Sequence, residues 1–297
     1  MTRDARHRAR LLHLATAASV ATAVLLMLAK LVAWLLTDSI AVLASLVDSL
    51  MDAAASLINL LAVRYSLTPA DAEHRFGHGK AEALAGLGQA TFIAGSALFL
   101  LLQAGERLLH PQPLTAPGVG IAVMAFSIAA TAALLVLQRH VVRRTRSTAI
   151  KADALHYASD LATNLSIILA LVLAQFGLPG ADPLFGLALG GYILYSAWSI
   201  GREAVNLLMD RELPEAVQHR ILAVALSQPG VLGAHDLRTR QSGHTWFVQL
   251  HLELDGHLSL NRAHGIAERA IVAIRAEFPQ AEVIIHQDPV DASQRPA

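Results

Sequence analysis

Long apolar stretches, separated by short polar connections, occupy the N-terminal two-thirds of the chain. Six of them reach the length of roughly 20 residues that a helix needs to cross a hydrocarbon core of about 30 Å, the last only just. They cover residues 14–36, 39–63, 83–105, 118–137, 148–176 and 183–200. The pattern therefore predicts six transmembrane helices.

The pattern changes after residue 202, where shorter elements replace the apolar stretches. Residues 213–227 and 260–278 predict helices, and 231–240, 245–254 and 282–287 predict strands. Ser242-Gly243 predicts a hairpin turn. In 245–254, apolar side chains at the even-numbered positions alternate with mostly polar side chains at the odd-numbered positions, as in a half-buried strand. The order αββαβ predicts a small α+β domain. We expect an all-α membrane bundle over 1–208, this domain over 209–290 and a tail over 291–297.

Composition and charge agree with a membrane protein. The chain is 54% hydrophobic and 15% charged, against about 25% charged residues in soluble proteins. It has no cysteine, which excludes disulfides and thiolate metal sites, and its formal net charge of zero does not favour nucleic acid as a partner. Arginine and lysine cluster before the first segment, after the second and after the fourth. By the positive-inside rule, both termini and the C-terminal domain are cytoplasmic.

Two pairs of polar residues interrupt the apolar segments. Asp48 and Asp52 lie in the second segment, and His156 and Asp160 lie in the fifth. Each pair has i,i+4 spacing, which places both side chains on one face of a helix. The two segments run in opposite directions, and at about 1.5 Å per residue both pairs reach a similar depth near the middle of the membrane. A carboxylate at that depth costs roughly 2.5–3.5 kcal/mol, so a cation is needed to offset it.

Taken together, these four residues offer three carboxylates and one imidazole. Nitrogen and oxygen donors in this number suit tetrahedral Zn²⁺, and Fe²⁺, Co²⁺ and Cd²⁺ also fit, whereas the histidine disfavours Mg²⁺ and Ca²⁺. The alternative is that the two pairs only hydrogen-bond neighbouring helices. Lys30, in the first segment, is expected to snorkel or pack and to take no part in transport.

Two further groups of histidines and acids lie outside the apolar segments. Asp71, His74 and His78 have the spacing of a chelating turn, although the stretch also reads as an ordinary polar loop. The C-terminal domain supplies a second group, formed by His235, His251, His264, His286 and Asp288. The alternative interpretation is that these are ordinary surface residues that bind no metal.

Several stretches resemble one protein family. They are Leu46-Val47-Asp48-Ser49-Leu50-Met51-Asp52, Pro69-Ala70-Asp71 with Phe76-Gly77-His78-Gly79-Lys80-Ala81-Glu82, Leu155-His156-Tyr157 with Ser159-Asp160, the run from His235 to Gly243, and Val283-Ile284-Ile285-His286-Gln287-Asp288-Pro289. In these stretches the chain is similar to the cation diffusion facilitators, in the bacterial YiiP branch (ferrous-iron efflux, zinc-transporting). The resemblance covers nearly the whole chain.

This resemblance implies a secondary active transporter and not an enzyme: a homodimer in the bacterial inner (plasma) membrane that exports a divalent metal, zinc first, in exchange for protons. It implies that Asp48, Asp52, His156 and Asp160 form the transport site, and that Asp71, His74 and His78 form a loop zinc site. It further implies a metallochaperone-like cytoplasmic domain with a two-metal site, and an interdomain salt bridge. The two-metal site would use His235, His251, His264, His286 and Asp288, near Gln287, and the salt bridge would join Lys80 and Asp210.

An enzyme and a metal sensor are the two alternatives to a transporter. An intramembrane hydrolase is disfavoured because the chain lacks the His-Glu-x-x-His, Gly-x-Ser-x-Gly and Gly-x-Gly-Asp patterns of such enzymes. A membrane-anchored metal sensor without transport would explain the histidines of the C-terminal domain. It leaves the carboxylates at mid-membrane depth without a role.

Overall fold

The apolar segments form six long helices in a computed structural model that describes residues 3–37, 40–110, 118–175 and 181–291. These helices are α1 (Arg3–Thr37), α2 (Ile40–Ser66), α3 (Lys80–Leu109), α4 (Gly118–Thr145), α5 (Thr148–Gln175) and α6 (Ala181–Leu208). The tail predicted for 291–297 lies outside the described residues, apart from Asp291.

Within the described residues, five of these helices are long and apolar enough to cross a membrane: α1, α2, α3, α4 and α6. Helix α5 has 28 residues, which is also sufficient length, but Lys151, Asp153 and Asp160 make its first half more polar. Large apolar side chains such as Leu36 and Trp198 are exposed on the helices, as expected of surfaces that face lipid. The predicted helical membrane region is confirmed, with α5 as its sixth helix.

The chain divides into two units, one formed by residues 1–69 and 81–205 and the other by 70–80 and 206–297. In the first unit, α1, α2, α4 and α5 share a cluster of buried apolar residues that includes Leu12, Val63, Val141 and Ile150. Helices α3 and α6 meet through a separate cluster of small and branched residues, among them Ile93 and Ala197. The predicted boundary between residues 208 and 209 stays a prediction.

The second unit contains α7 (Glu215–Leu226), β1 (Gly233–Ser242), β2 (Thr245–Asp255), α8 (Leu260–Glu277) and β3 (Ala281–Val290). This is the predicted αββαβ order. The sheet has the strand order β1-β2-β3, with β1 antiparallel and β3 parallel to β2. Helix α8 is the crossover that a parallel pair of strands requires.

Alternation along β2 determines which face of this sheet is covered. Val248, Leu250 and Leu252 are buried, together with Leu254, against apolar residues of α7 and α8 such as Ile221 and Ile274. Side chains at the intervening positions of β2 point to the opposite face. His235, His251 and His286 of the predicted cytoplasmic group therefore lie on the face of the sheet away from its helices, whereas His264 lies on α8.

Candidate metal centres

The first candidate centre lies between α2 and α5. His156 Nε2 is 3.0 Å from Asp52 Oδ1 and 3.7 Å from Asp160 Oδ2. One ligand atom from each of these three residues fits within 4.8 Å of the others, which is close enough to share an ion. Two of the three side chains are well shielded, since His156 is 8% and Asp52 is 23% exposed. The structure thus brings together residues from two membrane helices that are about a hundred positions apart in the sequence.

The imidazole of His156 is placed as a metal ligand would be. Its Nε2 atom is buried and makes no hydrogen bond of good geometry, although two carboxylates lie within 4 Å. With its Nε2 lone pair toward these oxygens the imidazole can bind a cation that lies between them, and with Nε2 protonated it pairs with the same two carboxylates. This donor set of one nitrogen and at least two oxygens suits a divalent transition metal.

Asp48 has a different position from the other three predicted ligands. It lines the same cavity of about 210 Å³ as Asp52 and Asp160, but its carboxylate lies outside the group of three. Polar side chains of Ser127, Asn164 and their neighbours form other parts of the cavity wall. A metal held by the group of three would therefore face a polar space that contains a further carboxylate.

A second carboxylate on α5, which is fully buried, was not predicted from the sequence. Asp153 is fully buried and accepts hydrogen bonds from Gln89 Nε2 of α3 at 2.9 Å and Gln138 Nε2 of α4 at 2.7 Å. It lies three residues before His156, on the same face of the helix. Its bonds fix the height and rotation of α5 against two neighbouring helices, and thereby position His156. The i,i+3 spacing of Asp153 from His156 was the signal that could have identified it.

The second candidate centre is in the loop between α2 and α3. Asp71 Oδ1 lies 3.5 Å from His74 Nδ1, and Asp71 Oδ2 lies 3.4 Å from His78 Nε2. The backbone N–H of His74 donates to Asp71 Oδ1 at 2.6 Å, and this bond, with a second from Glu73 N and the nearby imidazoles, holds the pKa of Asp71 below its usual range. Gly77 has φ +76°, a conformation that favours glycine and closes the turn. The predicted trio is therefore assembled by local backbone structure.

This loop belongs to the second unit and packs on its sheet. The Arg240 guanidinium lies between two aromatic rings, 4.6 Å from the centroid of Phe76 and 4.7 Å from that of Phe247. Asp210 pairs with Arg240 at 3.4 Å and with Lys80 Nζ at 3.0 Å, the contact expected from the resemblance. Burial acts to raise the pKa of Asp210, but the two cations outweigh it and lower that pKa. Stacking and charge together hold the loop on the strand hairpin.

Replacing Gly79 with alanine should loosen this loop, because the new Cβ would lie 2.6 Å from the backbone carbonyl of Ser242. Overpacking of this kind costs roughly 1–3 kcal/mol, so amide exchange across 70–80 should accelerate about tenfold in hydrogen–deuterium exchange mass spectrometry. Gly88→Ala is the matched control, since no atom lies within 4 Å of its added Cβ. Equal exchange in both variants would show that the loop is not held by this contact.

The third candidate centre is a row of histidines across all three strands of the sheet. His235 is the register partner of His251, and His251 is the register partner of His286. The ring centroids are 5.2 Å apart for the first pair and 4.7 Å apart for the second. Asp236, at the irregularity between His235 and Arg238, has φ +48°. This local departure from strand geometry lies directly beside the His235–His251 pair.

Asp288 connects the three histidines. His251 Nδ1 donates to Asp288 Oδ2 at 2.8 Å, and the Nε2 atoms of His235 and His286 lie 3.2 Å from Asp288 oxygens. The hydrogen bond from His251, with the other imidazoles, holds the pKa of Asp288 below its usual range. One ligand atom each from His235, His251 and Asp288 fits within 4.8 Å, as a shared ion requires. The carboxylate is therefore ionised and already central to the group.

The group in the sheet differs from the predicted one at two residues, His264 and Glu253. His264 is exposed on α8 and is not part of the group, since α8 packs against the opposite face of the sheet. Glu253, which was not predicted, places Oε1 3.7 Å from His235 Nε2. The signal for Glu253 was its position two residues after His251, on the same face of β2.

Comparison with known proteins gives two family matches that cover most of the chain. The model described as "Cation efflux transmembrane domain" matches residues 16–209, and that described as "Cation efflux protein, cytoplasmic domain" matches residues 213–290. A solved structure of MamM-CTD 215-293 is 28% identical and covers 26% of this chain and 98% of its own, with a TM-score of 0.25.

Relatives of similar length are found among proteins named cation-efflux pump FieF. The protein of Serratia proteamaculans (strain 568) is 56% identical over 281 residues, which are 95% of this chain and 94% of the relative. That of Pectobacterium carotovorum subsp. carotovorum (strain PC1) is 54% identical over 286 residues, or 96% and 95% of the two chains. With six long helices, five of which are apolar enough to cross a membrane among the described residues, an αββαβ domain and these matches along its length, the chain belongs to the cation efflux (cation diffusion facilitator) family.

Proposed function

We propose that this protein exports divalent metal cations by exchanging them for protons, and that Zn²⁺ is the main substrate, with Fe²⁺, Cd²⁺ and Co²⁺ as others. The observation that carries the proposal is the convergence of Asp52, His156 and Asp160 between two apolar helices. Ionisable groups within a membrane are costly and mark ion pathways. The names of the FieF relatives, cation-efflux pumps, support the direction of transport.

The transported ion would bind to Asp52, His156 and Asp160, and Asp48 would supply the fourth ligand from the same cavity. Because carboxylates must be ionised and imidazole neutral to bind a metal, protons compete with the ion for every ligand. Histidine changes charge near neutral pH, so it suits the exchange of one cation for protons. Exposure of this site first to one side of the membrane and then to the other would complete the exchange of metal for protons.

The two centres outside the membrane helices would sense the metal and not carry it. We assign the centre built on His235, His251, His286 and Asp288 to regulation in a homodimer, with His264 as a further proposed ligand. Metal bound there would favour one arrangement of the dimer and so set the concentration at which transport begins. The loop centre at residues 71–78 would act in the same way, and the Lys80–Asp210 pair would hold the end of this loop against the domain 209–290.

The proposal places the protein in the bacterial inner membrane with both termini cytoplasmic, following the distribution of basic residues. A membrane-anchored metal sensor without transport is the second candidate, and the histidine row of the sheet favours it. It does not account for the carboxylates and imidazole between α2 and α5.

Reconstitution of the purified full chain in liposomes with an internal pH dye tests both candidates. For a transporter, external Zn²⁺ should enter and the interior should become more alkaline as protons leave. Competition by Fe²⁺, Cd²⁺ and Co²⁺ would rank the substrates. Zinc entry without a pH change would reject proton exchange, and absence of entry would leave the sensor.

A further inference from the structure

Lys30 of α1 packs against α2, which is one of the two placements expected from the sequence. Its Nζ atom donates to the backbone oxygen of Ser45 at 3.2 Å and to Ser49 Oγ at 2.6 Å, both on α2. Ser49 is 2% exposed and is the residue directly after Asp48. The ammonium group is thus fixed at the interface of α1 and α2, beside a proposed ligand.

Lys30 also lines the cavity into which the candidate transport site opens. Ala23, Leu26 and Lys30 form the contribution of α1 to that wall. Of the described residues around the cavity, three are carboxylates (Asp48, Asp52 and Asp160) and Lys30 alone is basic. With His156 neutral, the three negative charges and one positive charge leave a net charge of −2. A divalent cation would cancel this charge.

We propose that Lys30 is a fixed counter-charge that balances one of the three carboxylates, so that the site is electrically neutral when a divalent cation is bound. The proposal rests on the transport function proposed above and deepens it. Neutrality matters because a net charge within a low-dielectric membrane region is costly, and the loaded site must change its exposure from one side to the other. Lys30 would not touch the metal. It would instead set how tightly the carboxylates hold it.

Removal of this charge should alter binding and turnover in opposite directions. Without the ammonium group, the three carboxylates attract a divalent cation more strongly, and the loaded site carries one excess negative charge. In Lys30→Met we therefore expect the metal to bind about tenfold more tightly and to be released about tenfold more slowly. The result would be a lower KM and a lower kcat. Loss of a merely structural lysine would weaken binding and slow turnover together.

The experiment uses the full chain with His78→Ala and His251→Ala, so that the loop and sheet centres do not obscure the cavity. Zn²⁺ binding is titrated in detergent at one fixed pH, and zinc uptake is measured in liposomes. Lys30→Arg should restore the parent values within about twofold, because arginine supplies a permanent positive charge at the same position. Ser49→Ala, which removes the 2.6 Å hydrogen bond and keeps the charge, should do the same. Lys30→Gln replaces Lys30→Met if the latter does not fold.

Tighter zinc binding in Lys30→Met with slower uptake, and near-parental behaviour in Lys30→Arg, would support the counter-charge. Equal or weaker binding in Lys30→Met would overturn it, as would a Ser49→Ala variant that behaves like Lys30→Met. The titration decides this even if the full chain with His78 and His251 intact moves no zinc in liposomes. That second result would instead overturn the transport function, so the two failures are distinguishable.

Discussion

Asp52→Asn should reduce zinc-dependent transport at least about 100-fold, because loss of even a supporting residue around a metal costs 10–100-fold. Asp52 supplies the oxygen nearest to His156 Nε2, at 3.0 Å, and asparagine keeps its size while removing the charge. The remaining two members of the group cannot then neutralise a divalent ion. Zinc uptake and internal pH in liposomes are the measurements.

Asn164→Ala is the matched control, because Asn164 lines the same cavity without belonging to the group of three. It should retain uptake within about threefold of the parent, because it removes neither a charge nor a member of the group of three. Asp48→Ala should also abolish the exchange if Asp48 is the fourth ligand. Exchange retained in Asp48→Ala would remove that residue from the site, and exchange retained in Asp52→Asn would remove the site from the mechanism.

His251→Ala should raise the zinc concentration needed to activate transport by at least about tenfold, because the variant loses a ligand from the centre of the histidine row. His251 Nδ1 lies 2.8 Å from Asp288 Oδ2, and its ring lies between those of the two other histidines, tilted against both. The transport site itself is unchanged, so uptake at saturating zinc should stay near the parent value. Zinc titrations of uptake in liposomes separate the two effects.

His257→Ala provides the control, since His257 is an exposed histidine of the same unit outside the group. In the parent, lowering the pH below neutral should release metal from this centre, since protons compete for the imidazole nitrogens. Asp288, whose pKa lies below its usual range, stays ionised over that interval. An activation curve that is identical in His251→Ala and the parent would reject the sensing role, as would one that is unchanged in a His235→Ala, His286→Ala double variant.

The meeting of α2 and α5 at these residues was predictable, because the distance of a residue from the end of its apolar segment gives its expected depth in the membrane. Counting residues from the ends of each segment placed Asp52 and His156 at similar depth, and the structure places them in contact. The αββαβ order was likewise predictable from the pattern of apolar and polar residues. In β2 the same pattern separates the buried leucines from His251. Both predictions depend on periodicities that are local in sequence.

Contacts between helices and strands were harder to predict from the sequence. The row of His235, His251 and His286 depends on strand register, which the positions of the histidines alone do not give. The register also explains why His264, on a helix behind the sheet, is separate from that row. Lys30 was expected to snorkel or to pack, and its partners could not be identified because Ser45 and Ser49 are ordinary helix residues in the sequence.

The sequence by itself determined the six long helices, the positions of their ionisable residues along them and the order of elements in the small domain, whereas the direction of the helices across the membrane stays a prediction. The tertiary structure alone decided which helix faces meet, and thus that Asp153 is tied to α3 and α4, that Lys30 shares a cavity with three carboxylates, and that the loop 70–80 packs with the C-terminal unit. The physical reason is that apolar periodicity specifies burial and depth along each element. Rotation and pairing of elements depend on side-chain packing across the whole fold.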